Sequence, residues 1–190
     1  MTIYSAWQKN QFTRALKSAL EAIPELPECA HPILIAWSAF ESGWGTTEQA
    51  SQCCNYWNLS AGSQEHGRSN SWPEPKPVLI GLDKEPVKLP DGRIGWKELH
   101  QYWRVYATPE EGVEDCLRTL NWPRYQPARD ALMAGQGDRF IDLLGPDRSH
   151  HVPPTGGWFT LSTPVYLLGY RAALAEVLAT LGPDTASRIC

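Results

Sequence analysis

The amino-acid sequence predicts a mainly helical α+β fold in which a helical lobe and a small antiparallel β-hairpin lobe face each other across a cleft. Three observations predict it. Apolar residues recur at helical spacing towards both ends of the chain, β-branched and aromatic residues cluster at 76–107 around a "PDG" turn at 90–92, and helical patterning returns abruptly at "TPEEGVEDCLRTL".

Each element follows from its residues. Over 6–22, Trp7, Phe12, Ala15, Leu16, Ala19 and Leu20, with Ile23 just beyond, are spaced closer to 3.6 than to 2, and Pro24 stops the helix. A proline-marked link, "PELPECAHP", leads into a second helix whose first turn accepts Pro32. Its expected buried stripe is Ile33, Ala36, Trp37 and Phe40, and Gly43 and Gly45 break it. Proline, glycine and serine are dense through 62–77. The segments "KPVLIGLD" and "RIGWKELHQYWRVYA" then read as two strands joined by the turn, a hairpin lobe of about 76–107. Thr108, Pro109 and Glu111 form a capping-box pattern with proline at the first helical position. Two more helices are expected at "QPARDALMAG" and "TPVYLLGYRAALAEVLATLG", the latter closed by Gly182 and Pro183.

The 190 residues suit one domain, 1–190, with the tail 183–190 as its candidate flexible segment. A net charge of −4 gives no electrostatic reason to expect nucleic acid or an anionic membrane surface. No stretch of about 18 apolar residues is present to enter a membrane, and the N-terminus lacks the pattern of a secretory signal, so a chain made in the cytoplasm is expected. Five cysteines in no short repeated spacing point neither to a disulfide framework nor to zinc, and no metal or cofactor is expected. Nine tryptophans and seven tyrosines suit a groove for flat amphipathic ligands such as sugars, beside their ordinary use in a core.

Glu41 closes the second helix between Phe40 and Trp44. Desolvation and the negative end of the helix dipole both raise the pKa of a carboxyl placed there, and a glutamic acid still protonated near neutral pH is what glycoside cleavage needs. A solvated helix end is the competing reading of the position.

The stretch "AWSAFESGWGTTEQASQCCNYWNLSAG", 36–62, resembles the signature of the bacterial endo-β-N-acetylglucosaminidase family that includes flagellar rod-assembly hydrolases and cell-wall autolysins. Asn55, Trp57, Asn58 and Leu59 stand in the matching places, and "YWRVYATPEEGVEDCLRTLNWPRYQPA", 102–128, resembles the family's later block. The resemblance implies a lysozyme-like fold and hydrolysis of the β-1,4 bond between N-acetylglucosamine and N-acetylmuramic acid in peptidoglycan, with Glu41 as general acid. It also implies a second acid on the hairpin lobe, for which Glu85 is preferred over Glu98, with Glu65, Glu74 and Asp83 further out. Carboxyls more than about 6.5 Å apart would invert the anomeric centre, whereas a substrate-assisted route needs no second carboxylate. The family's tyrosine-bearing C-terminal motif reads "TLSTPVY" here, with Tyr166 matching its last tyrosine and Thr160 replacing its first.

Trp44, Asn55, Trp57, Asn58, Trp72 and Tyr166 are the expected substrate-binding residues, and the loop "SHHVPPTGGW", 149–158, is a candidate cleft wall. Trp96 and Trp103 are further stacking candidates. A chain of catalytic domain alone, without a signal, resembles the glycoside hydrolase effectors delivered by type VI secretion into the periplasm of rival bacteria. That resemblance implies a cognate immunity protein that blocks the cleft. A phage-type endolysin, a muramidase and a lytic transglycosylase are alternatives on the same fold. A cysteine peptidase or amidase using Cys53 or Cys54 with His66, His100 or His150, and a non-catalytic wall-binding module, are the alternatives of other classes.

Overall fold

Helix α1, Ala6–Glu21, begins where the Ser5 hydroxyl accepts the backbone N–H of Gln8 and the Gln8 side chain accepts the N–H of Ser5, so each satisfies a donor that the helix cannot. The structure, a computed structural model, describes residues 4–145, 163–182 and 185. The pattern expected over 6–22 thus becomes one helix, with Leu16, Ala19 and Leu20 buried.

Helix α2, Ala30–Ser42, is the centre of the helical lobe. A one-sided stripe was the expectation, yet every residue from Ala30 to Ala39 is buried. The reason is that α2 packs against α1, the C-terminal helix α7 (Thr163–Leu181) and α5 (Gln126–Met133), so no side of its first turns meets water. Trp37 lies edge-on to Phe140 of α6, Gly137–Leu144, with ring centres 5.1 Å apart. Gly43 then takes the left-handed conformation, φ 55°, and its N–H closes on Ala39 O. A Cβ at Gly43 would lie 2.5 Å from Tyr4 Oη, so both backbone and space call for glycine there.

The β lobe is a four-stranded antiparallel sheet of order β2-β1-β4-β3, built from β1 Ser60–Ser63, β2 Gly67–Arg68, β3 Val78–Lys88 and β4 Ile94–Arg104. The long hairpin β3–β4 runs in unbroken register from Val78 opposite Arg104 to Lys88 opposite Ile94. Its turn closes through Leu89 N–H to Arg93 O at 2.8 Å. The first two strands had no β-rich sequence to announce them. β1 forms because the free edge of β4 offers backbone groups that the chain at 60–63 can pair, and β2 pairs in turn with β1.

Helix α3, Glu48–Cys53, leads into the sheet, and α4, Pro109–Leu120, leaves it. At α4 the Thr108 hydroxyl accepts Glu111 N–H at 3.3 Å, as the capping pattern requires, but the Glu111 carboxylate reaches one residue further back, to Ala107 N–H at 2.8 Å. A single turn of 3-10 helix, Pro123–Tyr125, joins α4 to α5. Among the described residues no helix is long and apolar enough to cross a membrane.

A buried ion pair joins the two lobes. Arg104, the last residue of β4, places Nη1 2.6 Å from Asp115 Oδ2 on α4, and both side chains are almost fully enclosed. Arg104 also donates from Nε to Ser60 O at 2.9 Å and from Nη2 to Ser71 Oγ at 2.8 Å, while the Tyr106 hydroxyl donates to Asp115 Oδ2 at 2.7 Å. A buried pair of this kind holds only because its remaining hydrogen-bonding capacity is also met.

Candidate active site

Glu41 stands in the last turn of α2, partly buried, with both carboxylate oxygens held. Tyr166 of α7 donates its hydroxyl to Oε1. Asn58 donates from Nδ2 to Oε2 at 3.3 Å and to the Glu41 carbonyl at 3.1 Å, so one amide satisfies the side chain and a helix-end carbonyl together. Asn58 does this from the left-handed region, φ 53°, which asparagine tolerates better than most residues. Burial pushes the Glu41 carboxyl above its ordinary range, and the hydrogen bonds from Tyr166, Asn58 and Trp37 pull the other way without cancelling it.

The tyrosine is itself oriented. Trp37 N–H donates to Tyr166 Oη at 2.9 Å, which leaves the phenol proton pointing at Glu41. Burial and the adjacent Glu41 charge push the Tyr166 hydroxyl well above its usual range, so it stays a donor. Tyr166 reaches the carboxyl because α7 lies close to α2. One turn further on, a Cβ on Gly169 would sit 2.1 Å from the Phe40 ring, and only glycine permits that approach.

The other expected binding residues are placed differently. Asn55 is fully buried and brackets the chain, donating to Leu59 O at 2.9 Å and Arg104 O at 3.0 Å and accepting Leu59 N–H at 2.8 Å, so it faces no ligand. Trp57 is a core residue beside Trp37, with 1% of its surface exposed. Trp72 is buried too; its indole donates to Pro77 O, and Lys76 and Arg104 lie over its ring, so the faces a sugar would need are occupied. In all three the physical reason is the same: small loops next to a sheet make their core from whatever large side chains they carry. Trp44 packs edge-on to Phe12 and lines a hollow of about 590 Å³ between α1, α2 and α7 with Phe40 and Gly169.

Of the hairpin acids, Glu85 pairs through its backbone with Lys97, and its side chain is outside the described residues. Glu98 is exposed and 3.9 Å from Lys84 Nζ, while Glu65 accepts His100 N–H. The loop 149–158 and the "TLS" of the C-terminal motif fall outside the described residues, as does His150. Burial pushes the Cys53 and Cys54 thiols up, the reverse of what a nucleophilic cysteine needs. Among the described residues no group of three histidine, cysteine or acidic side chains could hold a metal.

A groove of about 360 Å³ opens beside Asn58, lined also by Ser60, Arg104, Trp122, Arg124 and Tyr125. The last three were not singled out by the sequence as binding residues. The signal lay in the aromatic-basic run "NWPRY", whose 3-10 turn presents all three to one groove.

Trp37→Tyr166→Glu41 is therefore a directed chain of donors ending on a carboxyl that burial holds protonated above its usual range. Tyr166→Phe removes one donor that favours the charged form. It is therefore expected to move the titration of the Glu41 carboxyl, followed by NMR, to higher pH. A titration that stays put or moves down would show that Tyr166 does not act on Glu41.

No family model and no curated sequence matches the chain. Among solved structures it is similar to a mutant peptidoglycan hydrolase from Sphingomonas sp. A1, at 20% identity and a TM-score of 0.51 over 94% of this chain and 97% of that one. It is similar also to the catalytic domain of the autolysin Auto from Listeria monocytogenes, at 15% identity and a TM-score of 0.55 over 95% of this chain and 90% of that one. At these identities what the three chains share, over nearly their whole lengths, is the fold.

Proposed function

We propose that this protein is a glycoside hydrolase of peptidoglycan with a lysozyme-like fold, using Glu41 as general acid on the β-1,4 bond between N-acetylglucosamine and N-acetylmuramic acid. The observation that carries the reading is Glu41 itself: a carboxyl at the end of the central helix, raised by burial and held by donors that include Tyr166 and Asn58. Its support from outside the site is the fold shared with two proteins named as a peptidoglycan hydrolase and an autolysin.

In this mechanism Glu41 gives its proton to the glycosidic oxygen as the C1–O bond breaks and positive charge develops on the ring. Tyr166 and Asn58 then stabilise the carboxylate left behind. Tyr166 donates to Oε1, and the transferable proton is placed on Oε2, where the Asn58 amide lies 3.3 Å away. Water adds to C1 and loses its proton to a base, for which Glu85 on β3 is the proposed group. If that carboxylate is dispensable, the substrate's own N-acetyl oxygen attacks C1 as the C1–O bond breaks, and water then opens the oxazolinium ion and gives its proton to the Glu41 carboxylate.

Digestion of purified peptidoglycan, borohydride reduction and mass spectrometry test the bond. Reduced N-acetylglucosamine ends support the proposal; reduced muramic ends make the enzyme a muramidase, and anhydromuramic products make it a transglycosylase.

The proposal extends to action in the periplasm of a target cell, where peptidoglycan lies, and to an immunity protein that blocks the cleft. Expression with an added export leader is expected to lyse bacteria, whereas expression without one is harmless. Equal toxicity in both would overturn this part.

A further inference from the structure

We infer that Arg124 forms a carboxylate-binding subsite of the groove beside Asn58, so that the enzyme selects glycans carrying acidic groups over neutral ones. The inference rests on the reading of the chain as a glycan hydrolase and names a specificity for that same site.

Charge balance in the groove points to it. Its lining includes two guanidiniums, Arg104 and Arg124, and no carboxylate. Arg104 is neutralised by Asp115, which also takes Arg118 at 2.7 Å. Arg124 has no acidic partner among the described residues, although the chain as a whole has a net charge of −4. An unpaired exposed arginine would be ordinary if it were mobile, but this one is held. Its guanidinium lies 5.1 Å from the centre of Trp122 and 4.7 Å from that of Tyr125, and the two rings stack with centres 6.4 Å apart. It also hydrogen-bonds the Tyr125 hydroxyl, which lowers the pKa that burial raises there. A planar fork fixed on aromatic faces has already given up much of its rotamer entropy, and it matches a carboxylate with two parallel donors. Asn58 lines this groove and also hydrogen-bonds Glu41, so a ligand bound at Arg124 shares its groove with a residue that touches the acid.

Peptidoglycan glycans offer carboxylates from two sources, the lactyl ether of muramic acid and the stem peptide, and chitin-type glycans offer neither. The test measures kcat/KM of wild type, Arg124→Ala and Arg124→Lys on intact peptidoglycan, on strands stripped of peptide by an amidase, and on both after carbodiimide amidation of their carboxyls. Arg124→Ala is expected to lose about tenfold, mainly in KM, on substrates with free carboxylates. Amidation should cost wild type a similar factor, and the two losses should not add. Arg124→Lys, which keeps charge without the fork, should recover part of the loss. A loss on stripped strands identifies the lactyl carboxylate; a loss confined to intact peptidoglycan identifies the peptide.

Additive losses, or none, would overturn the subsite. Binding of muramyl oligosaccharide and of neutral chitotetraose to Glu41→Gln, with and without Arg124→Ala, is read by calorimetry. Absence of cleavage by folded wild type would thus count against the hydrolase reading, and binding indifferent to Arg124 against this one.

Discussion

Replacing Glu41 with glutamine is expected to lower glycan cleavage by about 10³-fold, within the range that positioned acid–base groups contribute, without unfolding the protein. Glutamine keeps the shape and can still accept the Tyr166 hydroxyl, but it has no proton to give to a leaving oxygen. The same substitution should alter stability with a definite sign. Burial raises the carboxyl's pKa in the folded state, so between the ordinary carboxylate range and that raised value the folded chain binds more protons than the unfolded one. Stability of the wild type therefore falls as pH rises through this window, by about 1.4 kcal/mol for each unit by which the two values differ. Glutamine does not titrate. Thermal melts at a series of pH values should show the variant gaining on the wild type as pH increases through the window, then running parallel to it. A constant difference at all pH values would mean that Glu41 ionises as a solvated glutamate. Retained cleavage would remove it from the chemistry altogether.

How much of this was legible in the sequence depends on where each contact closes. The end of α2 was legible because glycine at 43 and an apolar run before it are local signals, and they put Glu41 in the last turn. The start of α4 was legible for the same reason, since Thr108 and Pro109 act within one turn. The hairpin declared itself through its turn and its β-branched residues. Helix α6 did not, because Gly135 and Gly137 read as breakers while the helix they introduce is held by packing Phe140, Ile141 and Leu144 into the core.

Burial on all sides of α2, and of Trp57 and Trp72, is a property of the assembled lobes that no local pattern encodes. Trp122, half-buried at the groove, looks in sequence like the buried tryptophans, and only tertiary position separates it from them. Tyr166 lies 125 residues from Glu41, and its place at the carboxyl depends on the close approach of α7 at Gly169; family resemblance, not spacing, had nominated it.

Asp115→Ala carries the largest expected effect on stability, about 3–5 kcal/mol, because it removes one partner of a buried ion pair and leaves the other charged. Arg104 would keep its bonds to Ser60 and Ser71 but lose its counter-charge, and the Tyr106 hydroxyl would lose its acceptor in a buried site. Urea unfolding should show a lower midpoint with an unchanged slope. Arg118→Ala supplies the control: Arg118 makes an equally short bond to the same carboxylate, yet its side chain is 64% exposed. Water screens and replaces that contact, so its loss should cost no more than about 1 kcal/mol. If the two substitutions cost the same, burial is not what makes the pair matter. If they differ as expected, Asp115 is the point at which the sheet is fastened to α4. The groove wall formed by Ser60, Arg104 and Arg124 then owes its shape to the buried ion pair that Arg104 makes with Asp115.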